Sequence, residues 1–239
     1  KRLCPHGVLV RPNYDDYRRI SRDMFRVMEC YTPTLLPASI DEGFLDLTGM
    51  ERFVWRKRTA ADYVNRLRAE IERTIGVPVS AGLGASMWAA KLATSAVKPG
   101  FLEIPVGYER EFLSERPLSE LAGCGKRRER ALAALGAHTF DDVAGMPSIL
   151  LRKRFGIWGQ QLWLFSRGKW IEPIEVKDKC RTTISSSTTL PVDEPDYAAG
   201  LIFLLSEAAR LTGQLRRECL QARELFVSIR FNDFQRVSC

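Results

Sequence analysis

Two acids stand side by side in SIDEGFLDLTG, Ser39 to Gly49, with Ile40, Phe44, Leu45 and Leu47 around them. An unpaired charge in apolar surroundings costs on the order of several kcal/mol or neutralises itself, so Asp41 and Glu42 call for a cation. Neighbouring residues of a strand point to opposite faces. The two carboxylates can therefore meet at one ion only where the strand bends or ends, beside a turn. The chemistry open to them is the holding of hard divalent cations such as magnesium, whose two-ion sites serve in-line phosphoryl transfer and need several carboxylates. Two acids alone fall short of that set. The same spacing also suits a solvated turn, or a salt bridge to a neighbouring arginine. Asp46 offers a further ligand, or equally a cap at the strand end.

Cations that could receive phosphate lie further on. In ASMWAAKLATSAVKPG, Lys91 and Lys98 sit on a helix stopped by Pro99 and Gly100; they could hold a triphosphate, or simply suit a solvated helix end and its dipole. GCGKRRERALAALG, Gly123 to Gly136, is a helix-hairpin-helix pattern. Gly123 and Gly125 allow a tight turn that presents amides at a helix start to a DNA phosphate, and Lys126, Arg127 and Arg128 add charge. A plain turn between helices with a solvated basic face is the rival reading. LRKRFGIWG, Leu151 to Gly159, could form a second such turn. Near the carboxyl end, Arg181 and Ser185 in a hydroxyl-rich segment, with Arg230 in a later strand, could lie along a nucleic-acid backbone.

The elements that would position these residues alternate between helix and strand. Tyr17, Ile20, Met24, Val27, Met28 and Tyr31 recur at helical spacing after Asn13, and Ala61, Val64, Leu67, Ile71 and Ile75 form a second stripe closed by Gly76. The segment from Thr32 to Gly49 predicts two strands joined by a sharp turn near the acids. VPVSAGLG reads as a short buried strand. From Leu118 to about Gly168 the chain predicts short helices, with Trp158, Trp163 and Trp170 in their small core. The last part predicts a long helix over 196–219 and an alternating strand in RELFVSIRFNDF.

A chain of 239 residues with 45% hydrophobic content folds around one large core or two to three small ones, which excludes a disordered tail. A net charge of +7 and a pI near 9.2 favour a polyanionic partner. The six cysteines are scattered without a C-x-x-C pair, and only two histidines accompany them, which argues against a zinc site and for reduced thiols. No apolar run approaches the roughly 18 residues of a membrane span. The expected location is cytoplasmic, with no membrane partner.

SIDEGFLDLTG resembles the Ser-hydrophobic-Asp-Glu signature of Y-family translesion DNA polymerases. Four further segments resemble that family in the same order: RLCPHGVLVRPNYDDYRRIS, its passage from fingers to palm; KLATSAVKPG, its lysine-bearing helix; LAGCGKRRERALAALGAHTFDDVA, its thumb; and ISSSTTL with ARELFVSIRFNDF, its little finger. The resemblance implies an α+β fold: the end of the fingers at 1–10, a partial palm at 11–105, a small helical thumb at 106–174, a linker at 175–181 and an incomplete little finger at 182–239. It implies that Asp41 and Glu42 are catalytic metal ligands for two magnesium ions. Lys98, with Lys91 as a second candidate, would bind the incoming deoxynucleoside triphosphate. Primer-template DNA would meet Gly123, Gly125, Lys126, Arg127, Arg128, Arg181, Ser185 and Arg230.

The family pattern departs here in that its Asp-x-Asp strand and most of its fingers would lie upstream of Lys1. Its Asn-Lys before the palm helix reads Ser86-Met87, and its Lys-Pro-Asn-Gly lacks the Asn. The expectation is a monomeric damage-bypass polymerase whose 239-residue chain is inactive alone, with any sliding clamp engaged by segments beyond Cys239. The alternative is a non-catalytic DNA-binding scaffold or accessory subunit of a repair polymerase complex.

Overall fold

The computed structural model describes residues 3–51, 59–169, 182–190 and 192–239, arranged as two compact units, Lys1–Lys177 and Asp178–Cys239. Helix α1, Tyr14–Glu29, starts because Asn13 caps it and Asp15 and Asp16 complement its amino-terminal dipole. Helix α2, Ala60–Ile75, carries a reciprocal Thr59–Asp62 capping box and ends at Gly76 in the left-handed region. Their apolar stripes meet in a core of Met24, Val27, Tyr31, Leu67 and Ile71. Ile71 is fully enclosed, so its truncation to alanine would cost about 2–5 kcal/mol.

Strands β1, Leu35–Pro37, and β2, Gly43–Leu45, form an antiparallel hairpin in the register Leu35 with Leu45, Leu36 with Phe44 and Pro37 with Gly43. The apolar stretch around the acids is thus interrupted. Residues 38–42 are the turn, closed by the Ala38 and Ser39 amides donating to the Glu42 carbonyl. Ile40, expected inside a strand, is 56% exposed at its tip. Strand β3, Ala81–Leu83, helix α3, Met87–Ala96, and strand β4, Phe101–Glu103, make a βαβ unit with parallel strands. A Cβ on Gly82 would lie 2.0 Å from the Ala90 carbonyl oxygen, so glycine there lets α3 press onto β3.

Ala89, Leu92 and Ala93 of α3 belong to a second core that continues through Leu113, Leu132, Phe140, Leu151, Leu162 and Phe165. The elements that supply it are α4, Glu109–Leu113; a 3-10 turn, Leu118–Glu120; α5, Lys126–Ala133; α6, Phe140–Gly145; and α7, Ser148–Ser166. Helical structure therefore begins nine residues earlier than Leu118, at Glu109. Trp163 lies half-buried with Nε1 donating to the Met146 carbonyl, while Trp170 falls outside the described residues. In the second unit, α8, Tyr197–Arg217, follows an Asp196 cap, and β5, Ser228–Arg230, pairs antiparallel with β6, Arg236–Ser238. The alternating strand is shorter than its pattern. Leu225 and Phe226 stand exposed ahead of it, and none of this unit's described residues is buried. Among the described residues no helix is long and apolar enough to cross a membrane.

A part-buried titratable pair joins Tyr31, just past α1, to α2. The Tyr31 hydroxyl donates to Glu70 Oε2 at 2.5 Å, and burial together with this bond pushes the phenol up to about 12. A phenol raised above its unfolded value of 10.0 adds stability that is fully present below pH 10 and lost as pH rises through 12. Tyr31→Phe should lower stability at neutral pH by about 1–2 kcal/mol and flatten the alkaline limb between those values, as read by urea melts across pH. An unchanged alkaline limb would refute this assignment.

Candidate functional site

The hairpin turn puts Asp41 and Glu42 at the start of β2, where the chain leaves the turn. The Ser39 hydroxyl donates to the Asp41 carboxylate, while the Asp41 amide donates back to Ser39 Oγ at 3.3 Å. Asp41 is exposed. Glu42 has found its cation: Lys91 Nζ lies 2.5 Å from Glu42 Oε2, with the two side chains 29% and 36% exposed. The receiving cation is a lysine from α3, and no arginine takes that place among the described residues. Asp46 is a cap, its Oδ1 accepting from the Thr48 amide at 2.9 Å.

Helix α3 explains why Lys91 is there. Ser86 caps it by accepting from the Ala89 amide, so the departure from Asn at this position keeps the helix start intact. Ala89, Leu92 and Ala93 turn inward. Lys91 lies outside the arc they span, away from the buried face. The helix ends at Ala96, so Lys98 stands two residues beyond its last turn, exposed and without a partner among the described residues.

The glycine turn forms as its spacing predicts, although the segment before it is a 3-10 turn and not a regular helix. Gly123 adopts φ +89°, and Gly125 is the amino-terminal cap of α5 with φ −71° and ψ 169°. The Arg128 and Glu129 amides bond back to the Gly125 carbonyl. The preceding amides, of Lys126 and Arg127, are left without intrahelical acceptors. Lys126 and Arg127 extend into solvent with no partner among the described residues. Arg128 instead donates from Nη1 to the Gly123 carbonyl at 2.8 Å and lies over the Trp158 ring, 4.3 Å from its centroid. Its neighbour Cys124 is buried, which pushes the thiol above its ordinary value.

The second expected turn also exists. Gly156, at φ 65° and ψ −144°, divides α7 into two helical runs, and Ile157 is exposed beside it. Sequence reading missed that Trp158, set between Gly156 and Gly159, is the platform for Arg128. In the second unit Ser185 is exposed, and Arg230 lies over Phe234 at 5.5 Å. Arg181 lies outside the described residues. The cysteines at 4, 30, 124, 219 and 239 are free thiols.

The impB/mucB/samB family model matches residues 1–95, and that family's C-terminal domain model matches residues 181–239. DNA polymerase IV of Caulobacter vibrioides is 34% identical over 238 residues, covering 98% of this chain and 58% of that protein. DNA polymerase IV of Dehalococcoides mccartyi is 31% identical over 237 residues, covering 98% of this chain and 59% of that protein. The chain thus spans less than two thirds of the length of these relatives. Among solved structures, a Y-family DNA polymerase chimera shares the fold with a TM-score of 0.80 at 21% identity, covering 100% of this chain and 68% of that one. With both ends matched by the two models of one family, and relatives aligned along nearly its whole length, the chain belongs to the impB/mucB/samB family, the Y-family DNA polymerases.

Proposed function

We propose that this protein serves templated nucleotidyl transfer past damaged bases, acting on primer-template DNA with a deoxynucleoside triphosphate as second substrate. The observation that carries this reading is the ion pair of Glu42 with Lys91 of α3, beside the exposed Asp41 at the end of the hairpin turn. Acids that hold cations and a lysine that can hold phosphate share one place, a combination a scaffold has no need to keep. A relative in structure is titled the insertion ternary complex of a DNA polymerase, with a TM-score of 0.68.

The carboxylates of Asp41 and Glu42 are hard oxygen donors suited to magnesium, so the pair fits such ions as part of a ligand set. Among the described residues no group of three His, Cys, Asp or Glu side chains is placed to hold a metal. Two bound magnesium ions would supply polarisation of the phosphoryl oxygens and a lowered pKa for an attacking hydroxyl. The chain's own parts do the rest. Lys91 neutralises Glu42 before any ligand arrives, and Lys98, past the helix end and without a partner among the described residues, binds triphosphate. With two acids the set is incomplete, so the 239-residue chain given magnesium, primer-template and nucleotides should yield no extended primer; robust incorporation would overturn this. In a longer form of the protein that brings a further acid, Asp41→Ala should abolish extension and leave DNA binding largely intact.

DNA enters through the glycine turn. Gly125 has an ordinary φ, and nothing lies within 4 Å of where its Cβ would be. The fold itself does not demand glycine there, whereas a phosphate approaching the amides of Lys126 and Arg127 would. Gly125→Thr, a comparable helix cap, should leave the melting temperature nearly unchanged and weaken duplex binding. Gly123→Ala should instead cost about 1–2 kcal/mol of stability, because φ is positive there. Equal affinity for duplex DNA in the Gly125→Thr variant would count against phosphate approach at this turn. Binding should also fall steeply with salt, log affinity dropping with log salt by about 0.9 per phosphate engaged.

A further inference from the structure

We infer that Arg128 is a positioning residue, the strut that sets the spacing of two glycine turns, and that Lys126 and Arg127 beside it are left to meet phosphate. The inference rests on the DNA-binding reading above. One end of the strut is at Gly123, whose carbonyl accepts from Arg128 Nη1 at 2.8 Å. The other is at Trp158, between Gly156 and Gly159, where the guanidinium lies 4.3 Å from the ring centroid. Trp158 is itself held. Phe155 meets it edge-on at 5.8 Å, and Gly159 packs so closely that a Cβ would lie 2.3 Å from the Leu151 carbonyl oxygen. A single side chain therefore grips the first turn by its backbone and the second by its aromatic face.

The same device recurs in this helical region. Arg116 donates to the Phe112 carbonyl and lies 4.1 Å over the Phe112 ring; Arg167 donates to the Ala144 carbonyl and lies 4.5 Å over Trp163. In all three cases a guanidinium donates to a backbone carbonyl and lies within 4.5 Å of a ring centroid. A planar fork offers separate N–H groups to the carbonyl and a broad face to the ring, which a compact ammonium does not. With the spacing fixed, the turns at Gly123–Gly125 and Gly156–Gly159 would engage a duplex backbone as one unit.

The test measures duplex-DNA affinity of the 239-residue chain by fluorescence anisotropy across a salt series, with thermal melts confirming that each variant is folded. Lys126→Gln and Arg127→Gln should each make the salt dependence shallower by about one phosphate contact. Arg128→Lys keeps the charge and removes the fork, so it should lose roughly three- to tenfold in affinity at every salt concentration while keeping the wild-type slope. Adding Trp158→Leu to Arg128→Lys should cost nothing more, since one contact is removed twice. Wild-type affinity in Arg128→Lys, together with a shallower slope in Arg128→Gln, would make Arg128 a phosphate ligand and overturn the strut. Wild-type binding that ignored salt would instead overturn the DNA-binding reading, and the strut's role with it.

Discussion

Two carboxylates on adjacent residues repel each other and resist burial, and the hairpin around them is arranged to meet that constraint. The turn over residues 38–42 carries Asp41 out to solvent, while Glu42 is turned toward Lys91. With both partners about a third exposed, the ion pair adds at most ~1 kcal/mol of stability. Its importance is positional. The lysine fixes one carboxylate of the pair against a helix whose inner face is packed, so the acids stand at a defined place on the molecule.

Among the basic residues behind the +7 charge, two groups have different physical roles. Arg116, Arg128 and Arg167 are spent within the fold, each donating to a backbone carbonyl and lying over an aromatic ring. Lys98, Lys126 and Arg127 have no such partner among the described residues and stay available to an anion. Composition alone cannot separate the two populations, because stacking depends on a ring brought near by the fold: Trp158 is thirty residues from Arg128. In KRR, Arg128 alone has such a ring and carbonyl among the described residues.

Local patterns were legible wherever one element answered to one rule. The stripe from Ile20 to Met28, the Gly76 stop, the hairpin near the acids and the cap role of Asp46 all follow from spacing and turn chemistry, whereas Tyr17 is exposed and Tyr31 lies past the helix end. What the sequence could not disclose were pairings between distant segments. A cation for Glu42 was required by electrostatics, yet an arginine was as good a guess as Lys91 until α3 was placed. Ile40 was read as buried because an apolar residue inside a hydrophobic run looks the same at the tip of a turn. Gly156 was found as a turn, but Trp158 as its working residue was not, since the ring acquires meaning only with Arg128 above it.

Helix α3 serves the core and the site together, and the division follows its 3.6-residue period. Ala89, Leu92 and Ala93 fall on one face and are buried, and Trp88 packs edge-on against Phe165 at 5.2 Å. Lys91 falls outside the arc that these positions span and so emerges away from the buried face. Gly82 then decides how near the helix comes, because the Ala90 carbonyl rests where any larger residue would put its Cβ. Lys91 is the next residue along the chain. The close approach of backbone to backbone at Gly82 and the ion pair at Glu42 are thus successive consequences of one packing event, in which small side chains bring a lysine-bearing helix down beside a pair of acids.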